Sequence, residues 1–161
     1  MPESQDEKWM RHALAEAQLA LKKEEVPVGA VVVYEDKIIG RGHNQVESLK
    51  DPTAHAEIIA IGAASNYLDS WRLSGASLYV TLEPCAMCAG ALVLSRIDRL
   101  IFGAKDPKAG ACSSLYNIVQ DIRLNHQVEI ISYILEKECS QLLQTFFERV
   151  RQKSLERQKE G

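Results

Sequence analysis

The residues able to do chemistry lie in two short motifs, His55-Ala56-Glu57 and Pro84-Cys85-Ala86-Met87-Cys88. Cysteines three positions apart in a first helical turn lie on nearly one face, so both sulfurs can meet one ion at about 2.3 Å. His55 can add a nitrogen to the same ion if the two motifs face each other. Two thiolates and an imidazole suit zinc, and three protein ligands leave a fourth tetrahedral position open to water, as in a catalytic site. The partial positive charge of a helix N-terminus and the metal together favour thiolate over thiol. Helical residues two positions apart point about 200° from each other. Glu57 and His55 therefore converge only on something in front of the helix end, where a carboxylate can take a proton from water and hand it to a leaving group. Blander readings exist for each part. Cys112 could complete a structural zinc site, Cys85 and Cys88 could be a redox pair, and His55 could be a satisfied polar residue. A structural site usually pairs two knuckles where this chain has one, and a redox pair does not call for His55-Ala56-Glu57.

The elements that must position these residues are legible in the pattern. Ser4-Gln5-Asp6-Glu7 is a capping box, and Trp9, Met10, Ala13, Leu14, Ala17 and Leu21 follow at helical spacing, which predicts a helix from about Gln5 to Glu24. Two β-rich runs, Ala30 to Tyr34 and Lys37 to Gly42, flank Glu35-Asp36 and suit an antiparallel hairpin. Asp51-Pro52-Thr53 offers a turn and an N-cap before a second helix from Ala54 to Ser65. Ser77 to Leu82 reads as a buried strand. Pro84 marks the first turn of a helix from Cys85 to Ser95, and Asp98 to Gly103 is the next strand. Strand, helix and strand in so short a stretch form a crossover, which sets the two strands parallel. Residues 104–117 are loop-like, with a short helix before Asn125, and Val128 to Leu135 reads as a fifth strand. Leu142, Leu143, Phe146, Phe147 and Val150 give a long C-terminal helix. The sum is a mixed sheet with helices on both faces.

Composition excludes several classes. With 161 residues, 46% hydrophobic and 25% charged, the chain is one ordinary globular domain with a core that needs no disulfides. No charge-free stretch exceeds the 12 residues of Pro84 to Ser95, short of the roughly 18 that a membrane-spanning helix needs. No apolar run follows the acidic start, so nothing resembles a signal peptide and the cytoplasm is expected. A net charge of −3 argues against a general DNA-coating protein. Local basic ground remains, with four bases against two acids in Arg96 to Lys108 and five against three in Glu148 to Glu160. A solvated helix face explains the second run equally well.

His-x-Glu followed by Pro-Cys-x-x-Cys resembles the zinc-dependent nucleobase deaminases. Within them the chain is similar to the bacterial family that deaminates adenosine in tRNA. The segments that carry this are Glu25 to Ala30, Asp51 to Glu57, Tyr79 to Ala91, Phe102 to Asp106, Asn125-His126 and Glu138-Cys139. The metal motifs alone are shared with cytosine, guanine and deoxycytidylate deaminases, and the later segments favour the tRNA enzymes. The resemblance implies a cytidine deaminase-like α/β fold, a three-layer α/β/α sandwich on a five-stranded mixed sheet. It would be a single zinc-dependent deaminase domain over 1–161, with a core at about 5–135 and a C-terminal helix at about 136–158. It implies hydrolytic deamination of adenosine to inosine at the wobble position of an arginine tRNA anticodon, a zinc-bound hydroxide attacking C6. A small-molecule guanine or cytosine deaminase is the alternative. One Zn²⁺ per subunit would sit on His55, Cys85 and Cys88, with Glu57 as proton shuttle.

The resemblance also implies substrate contacts. Asn44 would bond the flipped base, Val26 would wall its pocket, Asp106 and Lys108 would touch the anticodon nucleotides, and Phe147 would meet the RNA. Each has a plain alternative as a loop, core or turn residue. Glu83 matches an acid beside the metal whose backbone frames the site. The implied partners are a tRNA anticodon stem-loop and a second copy of the chain, with neither DNA nor membrane. Ser113 and Tyr133 depart from positions where the family commonly has glycine.

Overall fold

The computed structural model describes residues 2–160. Five strands, β1 (Gly29–Tyr34), β2 (Lys37–His43), β3 (Ser77–Leu82), β4 (Arg99–Ala104) and β5 (Glu129–Ile131), form one sheet in the order β2-β1-β3-β4-β5. β1 runs antiparallel to β2 and β3, whereas β3, β4 and β5 are mutually parallel. The helices are α1 (Gln5–Lys22), α2 (Val46–Leu49), α3 (Ala56–Leu68), α4 (Ala86–Leu94) and α5 (Glu136–Glu160), with a 3₁₀ turn at Ile118–Gln120.

Strand alternation sends neighbouring side chains to opposite faces, and the core divides accordingly. Val32, Leu78, Val80, Leu100 and Phe102 pack with Ala56, Ala60 and Ala64 of α3 and with Ala89, Leu92 and Val93 of α4. Val31, Val33, Tyr79 and Ile101 pack with Trp9, Met10, Ala13 and Leu14 of α1 and with Cys139 of α5. Helices thus cover both faces, and the five-stranded mixed sheet is the one expected.

Local chemistry explains the element ends. Ser4 Oγ accepts from the Glu7 amide at 3.1 Å while the Glu7 carboxylate accepts from the Ser4 amide at 3.3 Å, the reciprocal capping box anticipated for α1. The hairpin turns through Glu35 and Asp36 at φ 49° and 61°. On β2, any Cβ at Gly40 or Gly42 would collide with the backbone oxygens of Ala60 and Ala56, so these glycines let α3 lie directly on the strand.

The structure departs from the pattern at several ends. α1 stops at Lys22 rather than Glu24, because the Lys23 and Glu24 amides turn back to Ala20 and Leu21 and Glu24 takes φ 59°. α3 begins at Ala56, with His55 as N-cap, while Thr53 donates to Asp51 instead of capping. Pro84 lies just outside α4, whose N-cap is Cys85. β5 spans Glu129–Ile131 only, since Tyr133 and Leu135 adopt φ 68° and 54° and turn the chain into α5. The four-residue α2 is too short to show a helical period in sequence.

Candidate metal centre and active site

α3 and α4, the latter following the central strand β3, begin beside each other, and their N-caps are His55 and Cys85. Neither N-cap makes a side-chain capping bond, which leaves both side chains free to face each other. His55 Nδ1 lies 3.6 Å from Cys85 Sγ and 3.6 Å from Cys88 Sγ, and the three atoms fall within 4.8 Å of one another. Ligands at about 2.3 Å for sulfur and 2.0–2.1 Å for nitrogen would be roughly 3.5 Å apart on a tetrahedral centre. The trio therefore fits a metal ion in both donor type and spacing.

Protonation follows the same arrangement. The hydrogen bond from the Cys88 thiol, reinforced by His55, pulls the Cys85 thiol down to about 3, so Cys85 is a thiolate. Cys85 in turn raises His55. Glu57, 4% exposed, lies one residue into α3 from the N-terminal Ala56, and burial pushes its carboxyl up to about 7. A carboxyl held near neutrality can both take and give a proton. Cys112 is buried and burial raises its thiol above the ordinary range, and it stands outside the ligand trio.

A pocket of about 630 Å³ reaches two of these donors, His55 and Cys85, and its size suits a small organic group. Its walls include His55, Cys85 and Glu57 together with Val26, Asn44 and Asp106. Asn44 Nδ2 donates to the Val26 carbonyl at 3.2 Å and its Oδ1 accepts from the Val46 amide at 3.2 Å. One N–H and one lone pair of the amide stay available, a donor and acceptor pair suited to a heterocycle. Asp106 Oδ1 accepts from the amides of Lys108 and Ala109, a tight turn at the pocket mouth.

Two of the residues singled out from sequence lie apart from these walls. Lys108 is exposed on the Asp106 turn, and Phe147 is 48% exposed on α5. Phe146 lines the pocket instead, with its ring edge-on to Phe147 at 5.2 Å. Sequence reasoning also passed over Glu25 and the carboxylate of Glu83, both buried at the pocket wall. A signal was present, since each is an acid set among apolar residues and proline, in Glu25-Val26-Pro27-Val28 and Leu82-Glu83-Pro84.

The pocket walls are acidic, with Glu24, Glu25, Glu47, Glu57, Glu83 and Asp106 against Lys23 alone. Sharing Glu24 and Phe146 with it, a second groove of about 410 Å³ runs between the end of α1 and α5 and carries Arg149, Lys153 and Arg157. These three recur every fourth residue and so line one helix face.

Comparison with known proteins agrees with this geometry. The MafB19-like deaminase family profile matches residues 4–151. A tRNA-specific adenosine deaminase of Bacillus subtilis is 51% identical over 150 residues, covering 93% of each chain. A solved structure from a study of A-to-I editing by tRNA:A34 deaminases superposes with a TM-score of 0.82 at 44% identity, over 84% of this chain and 99% of the other. A guanine deaminase structure from Bacillus subtilis aligns less completely, at 36% identity and a TM-score of 0.59 over 62% and 64% of the two chains. The ligand trio, the buried glutamate and this match along nearly the whole chain place the protein in the tRNA-specific adenosine deaminase family.

Proposed function

We propose that this protein hydrolyses the wobble adenosine of an arginine tRNA anticodon to inosine, with one zinc ion on His55, Cys85 and Cys88. The observation that carries the reading is the soft donor trio, two of whose members line, with buried Glu57, a pocket of base-binding size. When bound, zinc supplies Lewis-acid activation of a water molecule. Glu57 takes a proton from the attacking water and delivers it to the amino group on C6. The C–N bond breaks, and adenosine plus water become inosine plus ammonia. Asn44 offers its free donor and acceptor to the purine edge, Val26 packs on the ring, and Asp106 accepts from a ribose 2′-OH, which separates RNA from DNA. Lys108 and Phe147 lie outside the pocket and would meet flanking nucleotides.

An acid-lined pocket repels phosphate, so the RNA backbone needs somewhere else to lie. The Arg149, Lys153 and Arg157 face supplies it. The polyanion thus stays on the basic groove while the neutral base enters the pocket. The site functions in a homodimer, supported by α4, which has no charged residue and exposes Met87 and Leu94. Four unpaired cysteines suit the reducing cytoplasm, and no helix of the described residues is long and apolar enough to cross a membrane.

The test presents zinc-loaded protein with an anticodon hairpin bearing a wobble adenosine, alongside free adenosine, guanine, cytosine and cytidine. Inosine is expected in the hairpin alone. Glu57→Ala is expected to retain zinc and lose turnover by about 10²–10⁴-fold. Ammonia released from free guanine or cytosine, with the hairpin untouched, would move the protein to the small-molecule deaminases.

A further inference from the structure

Glu83 ends the chain's approach to the metal motif, two residues before Cys85, and only 2% of its surface is exposed. Its side chain points into the loop that follows β4. Oε2 accepts from the amides of Cys112 (3.1 Å), Ser113 (2.9 Å) and Ser114 (2.9 Å), and Oε1 accepts from the Asp106 amide (3.1 Å) and from Ser114 Oγ. Four backbone amides and the Ser114 hydroxyl thus converge on the two oxygens, so the group serves as an acceptor only. The backbone wraps it so closely that a Cβ on Gly110 would fall 2.5 Å from both carboxylate oxygens. A further bond, from the Ala111 amide to the Pro84 carbonyl at 2.8 Å, ties the loop to the residue beside Cys85.

We propose that Glu83 is a positioning residue, a buried carboxylate that sets the substrate-facing loop 106–114 at a fixed place relative to the metal-ligating Cys85. Asp106 and Ala109 of that loop form pocket wall, so the loop that meets the nucleotide is referenced directly to the strand end that supplies the ligand. The inference rests on the deaminase reading above. Glu83 touches no reacting atom; it acts through Asp106.

Glu83→Gln probes this selectively. The amide oxygen can keep the three bonds from Cys112, Ser113 and Ser114, but the NH₂ then faces the Asp106 N–H, donor against donor. Expected are unchanged zinc stoichiometry, a KM for the anticodon hairpin raised on the order of 10- to 100-fold and a kcat little changed. Amide exchange at Asp106 should accelerate by about tenfold or more while β3 and β4 keep their protection. Gly110→Ala, at a position whose φ suits any residue, displaces the carboxylate from the other side and should reproduce these effects even if Glu83→Gln folds poorly. The double variant should fall well short of additivity, since both act on one cradle.

Exchange at residues 106–114 unchanged from the parent would overturn the proposal. So would a fall in kcat at constant KM, which would make Glu83 part of the proton transfer. A parent protein that leaves the hairpin untouched would count against the deaminase reading, whereas the exchange measurement would still decide for or against the cradle.

Discussion

Glu25 shows how a single buried charge shapes the pocket rim. Its carboxylate accepts from the amides of Glu47 (2.9 Å) and Ser48 (2.7 Å) and from Ser48 Oγ (2.6 Å), and so fastens α2 behind Asn44. Burial alone would raise its pKa, yet the bonds from Ser48 and Glu47 bring it below the ordinary carboxylate value. A lowered folded value means that the stabilisation is fully present above the unfolded value of 4.5 and is lost as pH falls through the folded one. Glu25→Gln should therefore be less stable than the parent at pH 7, by about 1–3 kcal/mol, with the gap closing as pH drops below the carboxylate range. Thermal unfolding of both proteins across that range checks this, and a gap independent of pH would contradict it. At this scale the sequence was legible where chemistry dictates residue type. The His55, Cys85 and Cys88 donors that the fold brings together stand out from their motifs, because few other residue types could hold a metal at that spacing. What was illegible was direction: Phe146 and Phe147 are equally aromatic, and only the rotation of α5 about its axis decides that Phe146 turns to the pocket.

At the scale of elements, the site depends on how closely α3 approaches the sheet. Gly40 and Gly42 alternate on one face of β2, and Ala56, Ala60 and Ala64 recur every fourth residue on α3. The two smooth surfaces bring backbone to backbone and place the first turn of α3, with His55 and Glu57, against the strand end. Adding a methyl in Gly42→Ala forces it into the Ala56 carbonyl, which cannot move without displacing His55. Expected is a loss of about 1–3 kcal/mol in stability together with weaker zinc retention, measured by metal content after dialysis against a mild chelator. Full retention at reduced stability would show that the strain is absorbed away from the first turn. The strands and long helices were readable because their apolar periods persist for several residues. Their ends were less so: β5 is cut short by backbone turning at Tyr133 and Leu135, residues with no intrinsic preference for positive φ. There the demand to lead the chain into α5 outweighs local propensity.

For the whole molecule, the proposed homodimer has a concrete apolar face to use, the outer side of α4. α4 reads Ala86-Met87-Cys88-Ala89-Gly90-Ala91-Leu92-Val93-Leu94 without a charge, and a helix apolar all round is normally buried on every side. One side of α4 faces the sheet through Cys88, Ala89, Leu92 and Val93, while Leu94 is 71% exposed and Met87 37%. Leu115 and Tyr116 add 53% and 61% exposed surface on the loop leading into the 3₁₀ turn that packs on α4. Leu94→Glu should leave the chain's own core intact, since the side chain is mostly exposed. In a dimer it would bury an unpaired charge, costing several kcal/mol. Sedimentation equilibrium is expected to give twice 18.0 kDa for the parent and 18.0 kDa for the variant. Because Cys85 is the N-cap of α4, the proposed dimer contact would also steady that donor, so the variant, loaded with zinc, should release it faster than the parent. A variant that stays dimeric and keeps its zinc would move the interface away from α4.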